Sequence, residues 1–301
     1  MATAKSWVKA SRLRTLPLAL SGILMGSALA AFWHGFYWLI FILAMLTATL
    51  IQVFSNFAND YGDFQKGTDN HRRLGPTRTM QGGEITIKEM KSGMFIVAGL
   101  SFLLGIILVF VGTWHHSPTA FFVYIGLGIL ALLAAYFYTA GKKSYGYIGL
   151  GDLFVFLFFG LLPVIGVFYL HNNVIEAAVW LPAISMGLFS TGVLNLNNTR
   201  DIENDKQSGK NTIAVKLGPL KSRIYHTSLI LLAWIALIVF TLQQQKTAWQ
   251  WLFLLVLPVS IIDLVKIFRI KDSRQLDPFL KRLALQTLAL TLLFSLGLLL
   301  S

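Results

Sequence analysis

Nine apolar runs, each long enough to cross about 30 Å of hydrocarbon, leave this chain few folds to choose from. They lie near residues 16–33, 38–57, 92–113, 119–139, 151–170, 177–197, 226–242, 249–266 and 283–300. The runs are continuous rather than alternating, which predicts helices and not a transmembrane barrel; in hydrocarbon a helix satisfies its own backbone hydrogen bonds. The expected fold is all-α, a polytopic membrane helical bundle of about nine transmembrane helices forming one domain over residues 1–301. Only 13% of residues are charged, where a soluble domain carries about 25%.

The net charge of +12 raises the possibility of a nucleic-acid partner, and its distribution removes it. With the N-terminus placed in the cytoplasm, 24 of the 25 Lys and Arg residues fall in segments on that side, and Lys246 alone falls outside. Topology and contact with anionic membrane lipid account for the basic excess, and no nucleic acid is expected. Nine crossings then put the C-terminus on the opposite face. The basic start followed by an apolar stretch and SALAA near residue 30 imitates a secretory signal, but the run reaches Trp33, longer than a usual signal core. It is expected to stay as the first span. With no cysteine, thiolate chemistry and Cys-ligated metals are excluded.

Two polar clusters stand out where apolar runs end. In Asn56–Asp69 (NFANDYGDFQKGTD), Asn56, Asp60 and Asp63 are spaced to share one helix face, with Asp69 just past Gly67. Carboxylates at a helix C-terminus meet the negative end of the macrodipole and repel one another, so a cation must neutralise them. A second cluster repeats the design at Asn197, Asp201 and Asp205. Hard oxygen donors of this kind suit Mg²⁺, which is held by one or two carboxylates together with substrate phosphates. The clusters end the second and sixth spans, which predicts two four-helix repeats of like orientation around a central cavity. His34, His115, His116 and His171 are expected at the outer surface, Asp263 is expected to pair with Lys266, and Gly22 and Gly26 are expected to permit close helix packing.

Together, NFANDYGDFQKGTD, GPTRTMQGGEIT, YTAGKKSYGYIGLGDLFVFLFFG and NLNNTRDIENDKQSGKNTIAVKLG resemble the UbiA superfamily of intramembrane aromatic prenyltransferases, most closely its dihydroxynaphthoate polyprenyltransferases. The family motif N-D-x-x-D-x-x-x-D is matched by Asn59, Asp60 and Asp63, while Asp69 falls two residues later than the general spacing. The resemblance implies that Asp60, Asp63, Asp201 and Asp205 hold Mg²⁺ on a polyprenyl diphosphate, with Asp69 nearby and Asn56 and Asn197 adding carbonyl oxygens. It implies Arg78, Lys142, Lys143, Arg200 and Lys210 as diphosphate ligands, and Arg12 and Arg14 facing the acceptor, a dihydroxynaphthoate. It also implies a bacterial inner-membrane protein with its active site facing the cytoplasm.

The chemistry expected of such a site is ionisation of an allylic diphosphate. The departing charge is stabilised by Mg²⁺ and basic groups, and the carbocation by aromatic faces such as Tyr61, Tyr138 and Tyr145. A hydroxybenzoate acceptor is the nearest alternative. A secondary transporter is the rival from another class, although its acids would belong at the membrane midplane rather than at helix ends.

Overall fold

The computed structural model describes residues 2–69, 74–141 and 144–301, and among these it is entirely helical. Among the described residues nine helical segments are long and apolar enough to cross a membrane, matching the nine apolar runs. The protein is a multi-pass membrane protein. Helix α1 (Ala4–Ala10) leads into α2 (Leu16–Phe32), followed by α3 (Trp38–Gln65), α4 (Ile87–Thr113) and α5 (Pro118–Phe137). Helix α6 (Gly151–Phe156) continues through a wide turn at Leu157–Leu161 into α7 (Leu162–Asn172). Then come α8 (Trp180–Arg200), the short α9 (Ile202–Gln207), α10 (Ile213–Gln244), α11 (Leu257–Arg269) and α12 (Asp277–Leu299).

Helices project beyond the runs that hydropathy marks. The second run ends near residue 57, yet α3 continues to Gln65, and that overhang carries Asp60 and Asp63. Helix α4 starts at Ile87, where Thr86 and Glu89 form a reciprocal cap. The wide turn before α7 precedes Pro163, which has no N–H to give to a carbonyl one turn back.

Packing is tightest between α8 and α10, between α3 and α4, and where α2 meets α7 and α12. Gly22 and Gly26 allow the last of these contacts: added β-carbons would lie 2.9 Å from the Pro163 ring and 2.5 Å from the Val164 carbonyl oxygen. One large apolar core, with Phe168, Phe189, Phe240, Phe253 and Phe294 fully buried, joins α2, α7, α8, α10 and α12.

Two expectations about lone polar residues are corrected. His171 is buried, not at the surface: its Nδ1 accepts the Tyr37 N–H at 3.1 Å, Ser27 lies 3.2 Å from Nε2, and Phe36 stacks on its ring. Asp263 pairs with Arg282 at 2.7 Å and accepts from Gln286 at 2.6 Å, because α12 rather than its own helix supplies the nearest donors. The short α1 also escapes any hydropathy scan. It docks by Trp7 against Phe57, by an ion pair from Lys9 to Glu84, and by the Ala2 N–H donating to Glu89 at 2.8 Å.

Candidate active site

Because α3 stays helical through Gln65, Asn56, Asn59, Asp60 and Asp63 are held rigidly at one end of the bundle. Gly67, with φ of +69°, then turns the chain back so that Asp69 N–H reaches the Asp63 carbonyl. Three carboxylates thereby converge, and their neutralising charge is Arg78. Its Nη1 lies 2.6 Å from Asp63 and 2.9 Å from Asp69 and donates to the Asn59 carbonyl at 3.0 Å, while its Nε stands 3.6 Å from Asp60. Arg12, at a left-handed φ of 47° between α1 and α2, makes a second ion pair with Asp60, and Thr79 donates to the other Asp60 oxygen at 3.1 Å. Burial disfavours the Arg78 charge, but Asp63, Asp69 and Asp60 more than offset this and raise its pKa.

The second cluster is built differently. Its spacing predicts an unbroken helix, yet α8 ends at Arg200 and the chain bends at Asp201 before α9 begins. Arg200 is fully buried and donates to both Asp201 oxygens, at 3.0 and 2.6 Å; it also holds Asn197 at 3.0 Å and pairs with Asp277 at the start of α12. Asp205 lies 3.6 Å from Lys210, whose N–H donates to the Asp205 carbonyl. Burial, with the charges of Asp201 and Asp63 adding and Lys210 opposing, pushes the Asp205 carboxyl up to about 6. Lys210 is itself raised: burial works against its charge, but Asp205 and Asp63 prevail.

Tyr147 joins the two clusters. Its hydroxyl donates to Asp63 at 2.8 Å and accepts from Thr68, while Asn204 donates to the Thr68 carbonyl at 3.0 Å. The Tyr147 ring has Lys66 at 4.0 Å and Lys210 at 5.7 Å.

From this polar end a cavity of about 410 Å³ runs into the bundle between α2, α3, α4, α5, α7 and α8. Arg12, Arg14, Asn56, Asn59, Asp63, Arg78, Asn197 and Lys210 line its mouth, with Tyr138 and Tyr145 on the wall beside them. Deeper, the lining is apolar. Tyr145 stacks on Phe154 at 4.0 Å and donates to the Ala134 carbonyl at 2.8 Å. Main chain clasps Tyr138: β-carbons added at Gly146 and Gly151 would lie 2.5 Å from its carbonyl oxygen and 3.1 Å from its ring. This wall presents aromatic π faces to the cavity.

The sequence of this chain matches the UbiA prenyltransferase family over residues 19–297. The chain belongs to the UbiA prenyltransferase family. It is 44% identical over 298 residues to a 1,4-dihydroxy-2-naphthoate octaprenyltransferase of Haemophilus influenzae, covering 98% of this chain and 96% of that one. The enzyme of the same name from Escherichia coli K12 is 43% identical over 298 residues, covering 99% and 96%. Among solved structures, a UbiA homologue from Aeropyrum pernix K1 in apo form has a TM-score of 0.69 at 17% identity, covering 96% of this chain and 98% of that one. One from Archaeoglobus fulgidus bound to DMAPP and Mg²⁺ has a TM-score of 0.62 at 16% identity, covering 95% and 99%. At such identities these structures speak for the fold.

Not every residue singled out from the sequence sits on the cavity of this UbiA-family chain. Arg200 is away from the lining, committed to Asp201, Asn197 and Asp277. Of the five acids only Asp63 lines the cavity, with Asp60, Asp69, Asp201 and Asp205 outside the lining, and Asn56, which does line it, directs its amide N–H groups to the Ser11 carbonyl at 2.9 Å and to Thr15 at 3.0 Å. Tyr61 lies on the opposite face of α3, in an apolar cluster with Met80 and Met90. Arg12 sits on Asp60 as well as at the cavity mouth. Lys142 and Lys143 lie outside the described residues.

Sequence reasoning missed the connecting roles of Tyr147, Thr68 and Thr79. The only signal for Tyr147 was its place in the same loop as Tyr145.

Mg²⁺ fits the donors present. They are oxygens throughout, and Asp205 Oδ2 and Asn204 Oδ1 are buried without a hydrogen-bond partner between the clusters. Among the described residues no three acidic or histidine side chains gather closely enough to hold a metal by themselves. That agrees with an ion that completes its shell with substrate phosphate oxygens.

Proposed function

We propose that this protein transfers a polyprenyl group from a polyprenyl diphosphate to 1,4-dihydroxy-2-naphthoate, releasing carbon dioxide and diphosphate and giving demethylmenaquinol. One observation carries the transfer: a buried cluster of carboxylates and fixed cations opens directly into a long apolar cavity walled by aromatic rings. A diphosphate needs the first and an isoprenoid tail needs the second. The choice of acceptor draws support from the relatives that share 43–44% of the sequence over nearly the whole chain.

Asp60, Asp63, Asp69, Asp201 and Asp205 are the residues that would hold Mg²⁺, which when bound neutralises charge growing on the leaving diphosphate. Arg78 and Lys210 are fixed beside that point and stay positive, so they stabilise the same charge without moving. Breaking the allylic carbon–oxygen bond leaves its electron pair on the diphosphate. The Tyr138 and Tyr145 rings then face the carbocation in a site that excludes water. The acceptor carbon bearing the carboxylate attacks, and loss of carbon dioxide returns an electron pair to the ring, so no general base is required. Arg12 and Arg14 at the mouth provide guanidinium groups for that carboxylate. Lys142, Lys143 and Arg200 remain candidates for closing on the diphosphate, Arg200 by leaving Asp277. The basic character of the polar end supports a site on the cytoplasmic side of a bacterial inner membrane.

Purified protein in detergent, given one prenyl diphosphate, Mg²⁺, and either dihydroxynaphthoate or 4-hydroxybenzoate, tests the proposal. Diphosphate and carbon dioxide released only with the naphthoate are the expected result. Preference for hydroxybenzoate, or prenylation without carbon dioxide, overturns the acceptor. No diphosphate release with any acceptor overturns the transferase and favours a transporter.

A further inference from the structure

We infer that Tyr124 forms the end of the tail channel and sets which isoprenoid lengths the protein prefers, an inference that rests on the transferase reading above. Tyr124 and Tyr138 lie on the same face of α5, separated by about 21 Å of helix rise. Tyr138 stands beside the acids, so Tyr124 stands at the far end of the cavity. Between them the wall has open places among bulkier side chains such as Phe102, Leu132 and Phe158: Gly105 and Gly128 line the cavity, and an added β-carbon would meet only a Thr47 methyl at 3.8 Å in the first case and nothing within 4 Å in the second. At the far end the space closes. Leu108, Val109, Val167 and Leu170 are buried there, and three of them pack with Ile23, Leu43 and Ala44 into a core cluster.

Tyr124 completes that end wall on the lipid side. It is half-buried, while its neighbours Phe122 and Val123 are exposed at 67% and 55%. Its hydroxyl donates to the Gly166 carbonyl on α7 at 3.0 Å, and its ring stacks on Tyr169 at 5.7 Å. The ring lies beside residue 166 of α7, where an added β-carbon would sit in ordinary contact with it at 3.6 Å. Helices α5 and α7 are thus bridged by one aromatic ring at this level, with packed core on one side and hydrocarbon on the other. A tail that ends short of the ring fits within the walls, and a longer one must pass between α5 and α7 where the ring stands.

The test compares kcat/KM for octaprenyl and geranyl diphosphate with the same acceptor. Tyr124→Ala is expected to raise the octaprenyl-to-geranyl ratio several-fold, Tyr124→Leu to raise it less, and Tyr124→Phe, which keeps the ring, to leave it near wild type. The leucine variant keeps apolar contact and secures the comparison if the alanine variant does not fold. An unchanged or lowered ratio in the folded variants overturns the inference, because the tail then leaves by another route. A phenylalanine variant that behaves like the alanine one also overturns it, because the helix tie rather than the ring would then be responsible. Absence of turnover with either donor in the wild type would instead sink the transferase reading.

Discussion

The two acidic clusters look alike in sequence and are built on different principles. At Asn56–Asp69 one continuous helix and one glycine turn gather three carboxylates around Arg78, with Arg12 also on Asp60, and Asp63 and Arg78 reach the lip of the cavity. At Asn197–Asp205 the helix breaks at Asp201, and the two acids go to separate partners: Arg200, locked onto α12, and Lys210, which reaches the cavity. The first cluster concentrates charge at the polar end of the cavity. The second divides its residues between holding the bundle together and facing the site.

The sharpest break in this comparison is expected at Asp63. Asp63→Asn keeps the shape but removes a charge from the lip, and should lower product formation by about 10²–10³-fold, with little change in thermal midpoint because Asp60 and Asp69 still compensate Arg78. Asp201→Asn should differ, losing stability as well as activity because Arg200 is left partly uncompensated; identical behaviour of the two variants would erase the distinction. Arg200→Met, which leaves Asp201 and Asp277 without their shared partner, is expected to cost about 3–5 kcal/mol, read as a lowered unfolding midpoint in detergent. Retained stability would return Arg200 to the role of a substrate ligand. Smaller is Tyr147→Phe, which removes one hydrogen bond to a carboxylate. About 1.5–3 kcal/mol is the scale of such bonds, and the change should appear as weaker Mg²⁺ dependence of turnover with the fold intact. An unaltered Mg²⁺ titration would mean that Tyr147 only packs the loop.

Much of the architecture was legible because hydrocarbon is a demanding solvent: nine continuous apolar runs admit little except nine helices. The helix ends were less legible, since hydropathy reports where lipid lies and not where hydrogen bonding stops. Hence α3 runs on to Gln65 and α1 appears unannounced. The acids themselves were legible from spacing and resemblance. Their counter-charges were not, because Arg12 reaches Asp60, and Arg200 reaches Asp277, from distant parts of the chain that only packing brings together. The bend at Asp201 was hidden for a related reason: its spacing fits a helix, and the competing ion pairs come from outside the segment.

Tyr138 carries a consequence of its own. The ring is approached closely by main chain at Gly146 and Gly151 and edge-on by the Tyr145 ring, so its placement depends largely on the path of that segment. Its position is inherited from the path of the main chain and is already in place before any substrate enters, which spares binding the cost of ordering it. Divergence among descendants of this chain must therefore work around a fixed aromatic landmark. New tails and new acceptors can be accommodated by resizing the walls elsewhere, while the Tyr138 ring stays where the main chain puts it.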